Sequence, residues 1–98
     1  TPHQHPDSRS ALHLYPICLH DAGQRRQVFE GLRAAGIGVN VHYIPVHTQP
    51  HYRRLGFRTG DFPAAENYYA GAISLPMFPT LNPVQQDEVI AVLKRLLG

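Results

Sequence analysis

The sequence predicts an α+β domain: a small sheet of about three strands with helices packed on it. Three observations lead there. Residues 22–35 and 83–97 space their apolar side chains at helical intervals. Residues 11–19, 37–43 and 73–75 are apolar but too short or too Pro-bounded for helices, and suit strands. The order is therefore strand, helix, strand, turn, helix, short strand, helix. Two strands joined through a helix run parallel by a right-handed crossover. The third fits between them, antiparallel to both, as in a split βαβ unit.

Each element has a local reason. Residues 1–10, TPHQHPDSRS, are polar and Pro-rich and suit a linker or the cut end of a longer chain. Residues 11–98 form one domain. In the first strand, Pro16 argues for an edge or a bulge, because proline cannot donate to a ladder. Asp21 suits a helix N-cap, with Gln24 in capping-box position. Val28, Phe29, Leu32 and Ala35 form one apolar stripe, and Gly36 is placed as the residue just past the helix end. Within 37–43, alternation directs Val39, Val41 and Tyr43 to one face and Asn40 and His42 to the other.

Residues 51–55 suit a helical turn ended by Gly56. Pro63 suits the first position of a helix in which Ala65, Tyr68, Tyr69 and Ala72 share a side. Pro76 and Pro79 impose an extended loop after the last strand. Asn82 and Pro83 are a strong helix start, and Val89, Ile90, Leu93, Leu96 and Leu97 form the stripe that follows.

Composition excludes several classes. The chain has 98 residues, 43% hydrophobic and 16% charged, with net charge +2, too weakly basic for a dedicated nucleic-acid binder. No apolar run approaches the about 20 residues of a membrane span. Cys18 is the single cysteine, so no disulfide forms within the chain, and a reducing, cytoplasmic compartment is expected. Cys18 itself, in an apolar strand, reads as a buried and inert small hydrophobe.

The stretch Val39–Tyr52 stands apart. It gathers His42, His47, His51, Tyr43, Tyr52, Pro45 and Pro50 into a strand that breaks into a stiff polar loop. Three imidazoles at H-x4-H-x3-H could ligate zinc, but Pro50 interrupts the one helical pair and no Cys or carboxylate is near in sequence, so no metal is assigned. Asp61 and Glu66 read as charge near a helix start rather than as an acid–base pair. His42, Tyr43, His47 and Gln49 offer neutral donors and acceptors suited to a polar or phosphate-bearing ligand. A free-standing ligand-binding or protein-interaction module built on this loop is one reading of these residues. A loop that only ties two elements together is the other.

Two longer patterns extend the reading. Gly36, Ile37, His42, Tyr43, Pro45, His47, Gln49 and Pro50 fill G-I-x4-H-Y-x-P-x-H-x-Q-P; Ala65, Glu66, Ser74, Leu75, Pro76, Met77, Pro79 and Leu81 fill A-E-x7-S-L-P-M-x-P-x-L. Residues 11–98 thus resemble the C-terminal part of the DegT/DnrJ/EryC1/StrS family of pyridoxal-phosphate-dependent sugar-nucleotide aminotransferases, nearest the branch acting on UDP-4-keto-6-deoxy-N-acetyl-altrosamine on the way to pseudaminic acid. The resemblance implies the small C-terminal domain of a type I aminotransferase fold. It implies an amino donor, typically glutamate, a keto-sugar-nucleotide acceptor, and a parent homodimer. It also implies that pyridoxal phosphate sits in a preceding larger domain, so no residue of this chain is catalytic or cofactor-binding and the chain alone is inactive. His42, Tyr43, His47 and Gln49 are then candidates for substrate contact, while Glu66 and the Ser74–Pro79 loop brace the domain. Lys94, the sole lysine, reads as a solvated cation at a helix C-terminus.

Overall fold

A computed structural model describes residues 3–98; Thr1 and Pro2, part of the expected linker, lie outside the described residues. Strand β1 spans Tyr15–Cys18 and β2 spans Ala72–Leu75. Helices α1 (Arg25–Ala34), α2 (Pro50–Arg54), α3 (Pro63–Gly71) and α4 (Pro83–Leu97) are joined by 3-10 turns at Ala22–Gln24 and Val46–Thr48.

The sheet has two strands. β1 pairs antiparallel with β2, with Tyr15 opposite Leu75 and Cys18 opposite Ala72. On the other edge of β2, Asn40 forms a single antiparallel bridge to Ser74. The expected arrangement is thus present, with β2 in the middle and both neighbours antiparallel to it. The strand expected over 37–43, however, shrinks to one bridge. Asn40 accounts for this, because its own Oδ1 accepts the next amide, Val41 N–H, at 2.8 Å.

Ser74 also explains how proline is tolerated in β1. Ser74 N–H donates to Asn40 O at 2.7 Å, and Asn40 N–H donates to Ser74 O at 3.1 Å. Both backbone groups of Ser74 therefore face Asn40, away from β1. Pro16, opposite Ser74, occupies a non-hydrogen-bonded position on an edge strand, where a missing N–H costs no ladder bond.

The core joins Val28 and Leu32 of α1, Ile37 and Val39 beyond it, Ile73 of β2 and Val92 of α4. α1 ends as expected: Ile37 N–H donates to Leu32 O at 3.0 Å, Gly36 N–H donates to Arg33 O at 3.0 Å, and Gly36 takes φ +79°. This closing pattern also packs Ile37 over Leu32. The start of α1 differs from expectation. Asp21 Oδ1 accepts from Gly23 N–H at 2.9 Å and caps the short 3-10 turn, while Gln24 returns no side-chain bond. The complete capping box lies at α4, where Asn82 and Gln85 exchange side-chain and backbone bonds at 2.9 and 3.1 Å.

Two expected stripes are rotated. In α4, Val92 is buried, whereas Ile90 and Leu97 are exposed; Val89, Leu93 and Leu96 pack on the core. In α3, Ala65 and Tyr68 are exposed, and Ala72 belongs to β2. The helix stops at Gly71 because β1 passes against it. Leu19 N–H donates to Gly71 O at 3.0 Å, and a Cβ on Gly71 would stand 2.9 Å from Leu19 O. Cys18, expected to be buried, is exposed at the last position of the edge strand.

Residues 41–62 form an arm outside this core. α2 buries none of its residues. Among the described residues, no helix is long and apolar enough to cross a membrane.

The packing makes a prediction. Leu32 is fully buried and Ile90 is 41% exposed. Leu32→Ala is expected to cost about 2–5 kcal/mol. Ile90→Ala should cost about 1 kcal/mol or less. Chemical denaturation of the two variants compares them, and equal losses would contradict this core.

Candidate functional site

The arm leaves the sheet edge at Asn40 and is fixed at two points. The first is His42, half-buried, whose Nδ1 lies 2.9 Å from Ser74 Oγ. Ser74 is itself buried in β2, so the imidazole rests on the most central strand. Tyr43 follows at 66% exposure, its ring tilted on His42 with centroids 4.6 Å apart. Val39 is buried and Tyr43 is not, so the expected alternation that puts Val39, Val41 and Tyr43 on one face ends before Tyr43. Pairing stops at Asn40, so nothing holds the pleat beyond it.

The second point is His47. Pro45 O accepts both the N–H and the Oγ1–H of Thr48, at 2.9 and 2.7 Å, and winds Val46–Thr48 into a 3-10 turn. That turn places His47 inward at 6% exposure. Its Nε2 lies 2.7 Å from Glu66 Oε1, and the same oxygen accepts Gly60 N–H at 2.7 Å. An ionised carboxylate only accepts, so His47 donates through Nε2–H. Glu66 sits in the first turn of α3. It thereby ties three pieces together: the 3-10 turn, the 58–61 loop and the helix start. Asp61 Oδ2 closes that loop by accepting Arg58 N–H at 2.8 Å.

The Glu66 carboxyl is held below its ordinary value. The Gly60 N–H is the first cause; partial burial opposes it, and the His47 hydrogen bond and charge reinforce it. A carboxyl shifted this way stabilises the fold above its unfolded value, and the contribution fades as pH falls through the folded value.

The four expected contact residues thus divide. His42 and His47 are engaged inward, and Tyr43 and Gln49 are exposed. The backbone of Gln49 starts α2, accepting Arg53 N–H at 3.0 Å, while its side chain makes no cap bond. The three imidazoles have separate partners: Ser74, Glu66 and, for His51, the edge of Tyr52 at 5.3 Å. Among the described residues, no group of three or more His, Cys, Asp or Glu is placed to hold a metal.

A cleft of about 360 Å³ was not foreseen. Val46, His47, Tyr52, Phe57, Phe62 and Ala65 line it. Phe57 lies 6.1 Å from Tyr52 and 6.0 Å from Phe62, and His47 lies 4.9 Å from Phe62, as ring centroids. The even spacing of Tyr52, Phe57 and Phe62 in an otherwise polar stretch was the available signal.

Pyridoxal phosphate needs a lysine amine for its Schiff base. Lys94 is exposed in the last turn of α4 and forms no ion pair among the described residues. An exposed lysine at a helix end, with no enclosing pocket around it, does not fit that cofactor.

The fold is a small α+β unit from which a His/Tyr arm projects, and the solved structures that it superposes on are aminotransferases. The model of the DegT/DnrJ/EryC1/StrS aminotransferase family matches residues 1–94, and the chain belongs to that family. It is 37% identical over 102 residues to the spore coat polysaccharide biosynthesis protein SpsC of Bacillus subtilis, covering 99% of this chain and 26% of that protein. It is 37% identical over 76 residues to the UDP-4-amino-4,6-dideoxy-N-acetyl-beta-L-altrosamine transaminase of Helicobacter pylori, covering 76% of this chain and 20% of that one. The crystal structure of a DegT DnrJ EryC1 StrS aminotransferase from Brucella abortus superposes with a TM-score of 0.84 at 31% identity, over 99% of this chain and 26% of that one. The chain therefore spans about a quarter of the length of these relatives.

The Glu66 bridge is testable by amide exchange. Gly60 N–H should be protected near neutral pH. That protection should fall in Glu66→Ala, and in the unsubstituted chain it should fall as pH drops below about 4.3, the ordinary Glu value. Protection of Gly60 that ignores both changes would contradict the bridge.

Proposed function

We propose that this chain is the C-terminal small domain of a pyridoxal-phosphate-dependent aminotransferase that moves an amino group, from glutamate, to a 4-keto-6-deoxy sugar nucleotide in the cytoplasm. Residues 1–10 then link it to a larger domain that carries the Schiff-base lysine and the cofactor, and the whole enzyme works as a homodimer. The cofactor supplies carbanion stabilisation. This chain supplies substrate positioning, with His42, Tyr43, His47 and Gln49 along the entrance, and it is inactive alone.

One observation carries this reading. In a chain of this family, a loop rich in neutral hydrogen-bonding groups is anchored at both ends, by Ser74 and by Glu66, and still presents Tyr43 and Gln49 to solvent. A loop that merely connected two elements would not need both anchors. Holding polar groups in a fixed geometry lowers the ordering cost of binding a polar ligand.

The parent enzyme tests it. Tyr43→Ala or Gln49→Ala should lower kcat/KM for the keto sugar nucleotide by about tenfold or more, about 1.4 kcal/mol. The half-reaction with glutamate should be unchanged. Equal damage to both half-reactions, or to neither, would contradict the assignment. Pyridoxal phosphate added to the isolated chain should keep the absorbance of the free cofactor. A new bound-cofactor band would contradict the division of labour.

A further inference from the structure

Ser74 carries a hydroxyl that the sheet does not need. Its pairing with Asn40 uses only main-chain groups, N–H to O at 2.7 Å and O from N–H at 3.1 Å. Ala72 and Ile73, its neighbours in β2, are buried and apolar. Ser74 is buried as well, and among the described residues its Oγ has one partner, His42 Nδ1 at 2.9 Å. The Thr48 hydroxyl, by contrast, donates to a backbone carbonyl, Pro45 O.

That single partner decides where the hydrogens lie. A neutral imidazole has one N–H and one bare nitrogen. Two arrangements place Nδ1 against Oγ. In the first, Nδ1–H donates to Oγ, and the buried hydroxyl hydrogen has no acceptor. In the second, Oγ–H donates to a bare Nδ1, and both groups are satisfied. A buried donor left unpaired is costly, so the second arrangement holds. The ring hydrogen then sits on Nε2, because the bond made by one imidazole nitrogen sets the state of the other. Nε2 has no partner among the described residues, and no buried side-chain nitrogen among them lacks one. Nε2–H therefore reaches solvent, in a ring that tilts on the exposed Tyr43. His47 is set the other way, since Glu66 takes its Nε2–H inward at 2.7 Å.

We propose that Ser74 is a positioning residue, whose hydroxyl fixes the ring hydrogen of His42 on Nε2 so that His42 meets the substrate as a donor, to an acceptor oxygen of the sugar nucleotide. The assignment rests on the sugar-nucleotide reading above and deepens it by giving His42 a direction of hydrogen bonding. A donor held in one state before the ligand arrives needs no rearrangement on binding.

Two-bond nitrogen–proton NMR spectra of the imidazoles, taken at about pH 8, above the ordinary His value, test it. The unsubstituted chain should show His42 with a bare Nδ1 and a protonated Nε2; the opposite form would overturn the proposal. Ser74→Ala should move His42 toward the Nδ1–H form while the Val28 and Leu32 amides stay in place, and Ser74→Thr, which keeps the hydroxyl, should restore it. A His42 ring unmoved in Ser74→Ala would also overturn the proposal. In the parent enzyme, Ser74→Ala should raise KM for the keto sugar nucleotide by about fivefold or more, and by more than KM for glutamate. If Ser74→Ala does not fold, two changes at His42 decide. Gln can place an amide N–H where Nε2–H stands, and Asn where Nδ1 stands, so His42→Gln should keep the lower sugar-nucleotide KM; the reverse order would contradict an outward donor. An unchanged sugar-nucleotide KM in a working Ser74→Ala parent removes the positioning role and leaves the family activity standing. The stated ring hydrogen, lost in Ser74→Ala, in a parent that transfers no amine keeps the setting of His42 and removes the sugar nucleotide as its ligand.

Discussion

The structure depends on the position of β2 at the centre of three antiparallel segments. The exchange of hydrogen bonds between Ser74 and Asn40, at 2.7 and 3.1 Å, turns a two-stranded antiparallel pair into a platform in which both edges of β2 are used. Two isolated strands are marginal in water. Here Ile73, fully buried, meets Val28, Leu32 and Val92 from the helices. The apolar sheet face and the apolar helix faces thus cover each other, as an α+β layer requires. Because β2 is only four residues long, each of its backbone pairings carries a large share of the order.

The same residue that joins the sheet also aims the arm. The backbone of Ser74 holds Asn40, and its hydroxyl meets His42. The chain therefore leaves the core with a fixed direction. Glu66 then fixes the far side, accepting from His47 and Gly60 on one oxygen. Between these anchors the backbone makes only short-range bonds, and the exposed groups are those with no structural task. That division between residues that hold the arm and residues that face solvent is the physical basis for reading it as a binding surface.

Much of this was legible in the residues. The helix limits followed from Gly36, Asn82 and Pro83, whose conformations leave few alternatives. The placement of the middle strand followed from connection rules. The loop was conspicuous because its composition suits no core strand. Other features were settled by tertiary contacts that a sequence does not print. Asp21 caps a 3-10 turn because the chain tightens before α1, so Gln24 never reaches back. Val92 is buried although it lay outside the expected stripe of α4, because α1 approaches that face. Cys18 is exposed because the edge of β1 stays open. His47 reads as a free loop histidine until α3 brings Glu66 to it from nineteen positions away. The aromatic cleft draws Val46 and His47 together with Tyr52, Phe57, Phe62 and Ala65, and the even spacing of the three aromatics is only part of that pattern.

Native-state hydrogen exchange at Asn40 and Ser74 tests the central claim most directly. If β2 is the hub that orients the arm, both amides should exchange only in the cooperative opening that also releases Leu32 and Ile73. An Asn40 amide that exchanges as an unprotected peptide, while α1 stays protected, would mean that the arm hangs free of the sheet and that its geometry carries no functional message.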